Sequence, residues 1–82
     1  MDQDLYFTAD MGLTAYLLYM GHRYTDLFWE DSQCRWGFED PGGVVSGVAE
    51  QWYKDEVRVE PRKFLSHFRD VKKQVYYMAP PR

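Results

Sequence analysis

Apolar and polar residues alternate with a period of two along residues 24–40, YTDLFWEDSQCRWGFED, on both sides of a polar stretch near residues 30–33. This pattern predicts two strands joined by a short turn. In the second strand Cys34, Trp36 and Phe38 share one face, which we expect to point into the core. Gly37 points the other way, and its missing side chain lets a neighbour approach closely.

The rest of the chain predicts one further strand, LYFTA at 5–9, and three helices. Helical spacing of apolar residues runs through DMGLTAYLLYMGH, VVSGVAEQWYKDE and EPRKFLSHFRDVKKQVYY. In the first helix Leu13, Leu17 and Met20 are expected on one face. A carboxylate or hydroxyl of Asp10 or Thr8 can cap its start, and a glycine follows its end.

The last helix is expected to begin at Pro61 with Glu60 as its cap. The element order is therefore β-α-β-β-α-α, which predicts an α+β fold with a three-stranded, mainly antiparallel sheet and helices packed on one face. If the first two strands are neighbours, the helix between them makes that pair parallel.

The length of 82 residues predicts a single domain over 1–82, with 78–82 as a flexible tail. Aromatic residues make up 18% of the chain, more than so small a core can hold, so some are expected in a groove or an interface. A single cysteine excludes an internal disulfide and favours a reducing compartment. Because no 18-residue apolar run occurs, we expect a soluble cytoplasmic protein without a membrane segment.

The net charge of −3 hides a division along the chain. Residues 1–57 carry three basic and eleven acidic side chains, whereas residues 58–82 carry seven basic and two acidic ones. Such asymmetry indicates a charged partner, unless the two sets neutralise each other in the folded molecule.

Catalytic and metal-binding patterns are weak. His22, Cys34 and His67 lack the local spacing of zinc ligands, and Cys34 lies inside a predicted strand rather than in an exposed cationic setting. Neighbouring carboxylates occur in turns, where they are usually solvated. We therefore expect no catalytic residue, no metal and no cofactor, and a protein that is not an enzyme.

Binding to another protein accounts best for the surplus aromatic residues and the segregated charge. The expected contact residues are acidic and flank the predicted hairpin: Asp26, Glu30, Asp31, Glu39 and Asp40. A homodimer is one form of this hypothesis.

Nucleic-acid binding is the alternative, because basic residues form a stripe on the last helix, opposite its apolar face. The expected phosphate-binding residues are Arg58, Arg62, Arg69 and Lys73. Aromatic residues of the sheet, namely Tyr6, Trp36 or Phe38, could then stack on bases.

Short motifs spanning nearly the whole chain resemble a family of small bacterial and phage domains of unknown function. They are FTAD at 7–10, AYLL at 15–18, GH at 21–22, FED at 38–40, WY at 52–53, VEPRKF at 59–64 and FRDVK at 68–72. The resemblance implies a compact α+β domain from a phage or mobile element and brings no catalytic residues. Small acidic phage proteins are often modulators or inhibitors of host machinery, anti-CRISPR proteins among them, and their carboxylates can stand where phosphates would lie.

Overall fold

The structure, a computed structural model, describes residues 4–79. Three strands and three α-helices follow in the predicted β-α-β-β-α-α order, and the α+β class is confirmed. A 3-10 turn at Pro41–Gly43 precedes the second helix. The elements are β1 Leu5–Thr8, α1 Met11–Tyr19, β2 Tyr24–Glu30, β3 Gln33–Glu39, α2 Val44–Tyr53 and α3 Pro61–Met78.

The sheet has the order β1-β3-β2, and both pairs of neighbours are antiparallel. β1 and β2 therefore form the two edges and do not pair, so the sheet contains no parallel pair of neighbouring strands. The central strand β3 points Cys34, Trp36 and Phe38 into the core, where the two aromatic rings are 0% exposed. The predicted inner row is confirmed.

A two-residue turn joins β2 to β3. Asp31 and Ser32 both adopt left-handed backbone conformations, with φ of 52° and 61°. Such turns suit the right-handed twist of a hairpin. The register shifts between Tyr24 and Asp26, so Thr25 forms a bulge near the start of β2.

Helix α1 is buried on several sides, and both its ends are capped as the sequence predicts. The Asp10 carboxylate accepts a hydrogen bond of 3.0 Å from the Leu13 N–H at the first turn. At the other end Gly21, with φ of 96°, lets its own N–H and that of His22 reach the last carbonyls of the helix. Met20 is the C-cap of α1 and is 49% exposed, whereas Leu13 and Leu17 are buried.

Helix α3 begins as predicted: Glu60 accepts from the N–H groups of Arg62 and Lys63, and Pro61 occupies the first turn. The hydroxyl of Tyr19 in α1 accepts the Glu60 N–H at 3.0 Å, which anchors the start of α3 to α1. The inner side of α3 carries the expected apolar stripe, Phe64, Phe68, Val71 and Val75.

The helices are held to one another by a run of stacked rings. Tyr16 of α1 stacks on Trp52 of α2 at 5.4 Å between ring centroids, and Trp52 stacks on Phe64 of α3 at 5.9 Å.

Met78 is still helical, so the expected tail does not begin there, and residues 80–82 lie outside the described residues. None of the described helices is both long enough and apolar enough to cross a membrane.

Helix α2 depends on a carboxylate that precedes it. Asp40 is 4% exposed and accepts from the Val45 N–H at 2.6 Å, from the Ser46 N–H at 3.2 Å and from the Ser46 hydroxyl. Burial raises the pKa of the Asp40 carboxyl, but these hydrogen bonds outweigh burial and hold its pKa below the ordinary value. The charged form of Asp40 thus stabilises the fold.

Replacement of Asp40 by Ala should lower the free energy of unfolding by about 2 kcal/mol, because buried donors lose their acceptor. Urea denaturation measures this change. The pH dependence has a definite sign, since the pKa is lowered on folding. Asp40 contributes stability above its unfolded pKa of about 4, and this contribution is lost as the pH falls through the folded pKa.

Asp40→Asn cannot titrate and should therefore show a shallower loss of stability on acidification than the natural chain. Asp55→Asn is the matched control, because Asp55 is exposed, and it should keep the natural profile. Equal acid sensitivity of Asp40→Asn and the natural chain would contradict the role given to Asp40.

Candidate functional site on the outer sheet face

The helices cover only one side of the sheet, and the residues that alternate with the inner row form a second surface. Strand register places these residues together, because cross-strand partners share a side. Phe7 and Leu5 of β1 are 46% and 42% exposed there. We call this surface the outer sheet face; its members are Leu5, Phe7, Asp26, Phe28, Glu30, Gln33, Arg35, Gly37 and Glu39.

An aromatic pair lies at the centre of the outer sheet face. The rings of Phe7 and Phe28 come from the two edge strands and meet edge to face, with centroids 6.0 Å apart. Gly37 of the central strand lies between them, and a Cβ built on it would be only 2.7 Å from the Phe7 ring. The close approach expected at Gly37 is thus made by Phe7, which crosses the central strand to reach Phe28.

Carboxylates surround the aromatic pair. Asp26 is the cross-strand partner of Gly37, and Glu39 is the partner of Leu5, so both lie on the outer sheet face. Both side chains are exposed. Glu30 and Asp31 lie at the hairpin end, where their oxygens are 3.3 and 3.8 Å from nitrogens of the Arg35 guanidinium. Part of the acidic charge is therefore neutralised within the hairpin, and Asp26 and Glu39 lie outside that ion-pair group.

Asp40 does not belong to this acidic surface, and its predicted role in partner binding is wrong. Its side chain is buried, and both oxygens are bound to the start of α2. The two adjacent acids Glu39 and Asp40 thus have different roles: Glu39 is an exposed strand residue, and Asp40 is a buried cap of α2. The sequence offers a signal for this role in retrospect, because a short acidic residue lies ahead of the Gly-rich helix start.

The basic residues of the alternative hypothesis lie on a different surface. Arg62, Arg69 and Lys73 are exposed on the side of α3 that faces away from the core. Arg58 is exposed too, but it lies in the link before α3 and not on the helix. Trp36 and Phe38 are fully buried, so their expected stacking on bases is wrong, and Tyr6 is half-buried.

The pKa of Glu50 is lowered by its hydrogen bond and ion pair with Lys54 on the exposed side of α2, and the other groups with shifted pKa values belong to the core and the helix caps. Burial raises the pKa of the Cys34 thiol, which disfavours the reactive thiolate. Burial, together with its hydrogen bond to Asp10, raises the pKa of Tyr53 to about 12. Among residues 4–79, no three His, Cys, Asp or Glu side chains come together as a metal-binding group.

Sequence reasoning missed Phe7 and Phe28 as surface residues. The signal was present for Phe28, because it alternates with Leu27 and Trp29 and so shares the polar side of its strand. For Phe7 no local signal existed, because its neighbour in space, Gly37, is 30 positions away in the sequence and belongs to β3.

Comparison with family models, with curated proteins and with solved structures finds no match. The resemblance to a phage domain family therefore stays a prediction.

Gly37→Ala should separate the Phe7 and Phe28 rings, because the new methyl group would occupy the space of the Phe7 ring. In a double-mutant cycle with Phe7→Ala, we expect a coupling free energy of about 1 kcal/mol, measured by urea denaturation. Gly37→Ala should destabilise the natural chain and destabilise it less once Phe7 is absent, when the close approach to the Asp26 Cβ at 3.1 Å remains.

Gly47→Ala is the control for this cycle. Gly47 lies in α2 with open space around its Cβ position, so Ala should raise helix stability by roughly 1 kcal/mol with or without Phe7. Additive effects of Gly37→Ala and Phe7→Ala would contradict the close contact across β3.

Proposed function

We propose that this protein is a non-enzymatic binding domain whose outer sheet face docks on a cationic surface of another protein. The single observation that supports this best is the Phe7–Phe28 pair on the sheet side that none of the described helices covers, where Phe7 is 46% exposed. By occupying a surface that otherwise binds nucleic acid, the domain would act as a modulator or inhibitor of host machinery.

The apolar part of the face supplies the energy of such an interaction. Phe7, Phe28 and Leu5 are side chains that would lose further water on binding, and aromatic residues in the centre of an interface commonly carry most of the affinity. The rings are held against each other and against Gly37, so they lose little freedom on docking.

The charged part of the outer sheet face determines which kind of partner binds. Asp26 and Glu39 lie beside the aromatic centre, and carboxylates in those places attract Lys and Arg side chains. Cationic surfaces that bind nucleic acid carry those same side chains. A partner of this chemistry therefore meets carboxylates where it otherwise meets phosphates.

The test is capture from a bacterial lysate on immobilised protein, followed by affinity measurement with each purified captured protein. Phe7→Ser with Phe28→Ser should weaken binding at least about tenfold, because the interface loses its apolar centre. Asp26→Lys with Glu39→Lys should weaken it as well, and more so at low salt.

Matched variants on other surfaces keep the test specific. Tyr77→Ser removes a more exposed aromatic ring from α3, and Glu56→Lys reverses an exposed carboxylate in the link before α3. Both should bind as the natural chain does. Arg62→Glu with Arg69→Glu should also retain the partner, and DNA added to this variant's complex should displace the partner. Equal capture by the Phe7/Phe28 variant would overturn the proposal.

A further inference from the structure

Helix α3 has an outer side that differs in charge from the rest of the molecule. Residues 61–78 contain five basic side chains and one carboxylate, whereas the chain as a whole has a net charge of −3. Within the described residues, ion pairs involve Arg35 and Lys54, and no α3 cation takes part in one. The positive charge of α3 is therefore available to a ligand.

Helical geometry aligns three of these cations. At about 100° per residue, Arg62, Arg69 and Lys73 fall within roughly 40° of one another, opposite the buried Val71. Ser66 lies between them along the same line. All four residues are exposed.

Two tyrosines extend this line at the C-terminal end of α3. Tyr76 and Tyr77 are 80% and 76% exposed, and their rings meet edge to face with centroids 6.0 Å apart. Tyr76 follows Arg69 by seven residues and Tyr77 follows Lys73 by four, so each ring shares a side of the helix with a cation. We call the set Arg62, Ser66, Arg69, Lys73, Tyr76 and Tyr77 the outer α3 face; it extends for roughly 22 Å.

We propose that the outer α3 face binds single-stranded nucleic acid without sequence preference. Arg62, Arg69 and Lys73 contact successive phosphates, and Tyr76 and Tyr77 stack on unpaired bases. Cations that follow the backbone beside aromatic rings that stack on bases are the general means by which proteins hold single strands.

The choice of occupant follows from the combination of groups. Three unpaired cations alone would bind any polyanion. The large exposed rings beside them also favour a ligand with flat apolar surfaces on which the rings can stack. Unpaired bases provide that surface together with the phosphates, whereas in duplex DNA the base faces are already stacked. The acidic outer sheet face repels phosphates, so binding is confined to α3 and is expected to be weak, with a dissociation constant on the order of 10⁻⁵ M at low salt.

This surface is separate from the outer sheet face, and the two proposals can fail independently. The variants expected to weaken binding at one surface leave the residues of the other unchanged, and the α3 variants used with the outer sheet face serve there only as controls.

The experiment is fluorescence polarisation of the full chain with a labelled oligothymidine and with a labelled duplex of the same length. Binding of the single strand should weaken about tenfold or more between about 50 and 200 mM salt, as expected for three phosphate contacts. Arg69→Glu should abolish measurable binding. Arg23→Glu, which makes the same charge change at an exposed residue outside α3, should weaken binding less than about threefold through net charge alone.

The tyrosines provide the second readout. Tyr76→Ala with Tyr77→Ala should weaken binding of the single strand at least about fivefold and leave duplex binding unchanged, because stacking needs unpaired bases. Light scattering on the same samples reports the molecular mass, and circular dichroism confirms that each variant is folded.

Four results would overturn the proposal. The first is no change in polarisation at low salt, and the second is equal binding by the Arg69 and Arg23 variants. The third is self-association that Arg69→Glu abolishes, which would make the outer α3 face an interface between copies of this chain. The fourth is equal affinity for duplex and single strand with no effect of the tyrosines, which would reject the single-stranded ligand.

Discussion

The row of side chains that β3 points into the core, Cys34, Trp36 and Phe38, is the constraint on which the arrangement of the other elements depends. Among residues 4–79, Trp36 and Phe38 are the largest fully buried side chains, and both belong to β3, the strand that has a neighbour on each side. A central strand with two buried aromatic rings needs a helical cover on one side and edge strands on both flanks. The chain supplies the cover with α1, α2 and α3, and this leaves the opposite side of the sheet open to solvent. The outer sheet face is thus a direct consequence of building a two-layer fold from three strands.

Local signals in the sequence predict the elements and most of their ends. The caps at Asp10, Gly21 and Glu60 lie where short-range hydrogen bonding requires them, and such bonds depend only on residues within one turn. The inner row of β3 was equally predictable, because strand alternation fixes which residues share a side. These features account for the confirmed fold class.

Non-local contacts account for what the sequence did not reveal. Strand order could not be read from alternation, and it decides that Phe7 meets Phe28 across Gly37. The role of Asp40 was missed for a related reason, since its carboxylate reaches over a 3-10 turn to amides five and six residues ahead, beyond the ordinary capping distance. Acidic residues in a turn look alike in sequence, and only burial separates the internal cap from the exposed Glu39.

The division of charge along the chain is kept in the folded molecule rather than cancelled. Acidic side chains gather around the hairpin, where Arg35 neutralises some of them, while the basic residues lie along α3. The two proposed binding surfaces therefore differ in charge, in secondary structure and in the aromatic residues they expose. The two proposals together predict that the molecule holds two ligands of opposite charge at the same time.

The position of β1 has a consequence for how the protein is made. Along the chain β1 precedes its partner: among the described strands it pairs with β3 alone, and β3 ends at Glu39. Until Glu39 has been made, β1 lacks its partner strand, and the apolar surface of α1 is not yet covered by the sheet and α3. Synthesis proceeds at about 5–20 residues per second, so β1 and α1 wait on the order of seconds for β3. Because β3 pairs with both of the other described strands, we expect the native sheet to form only after the β2–β3 hairpin is available to β1.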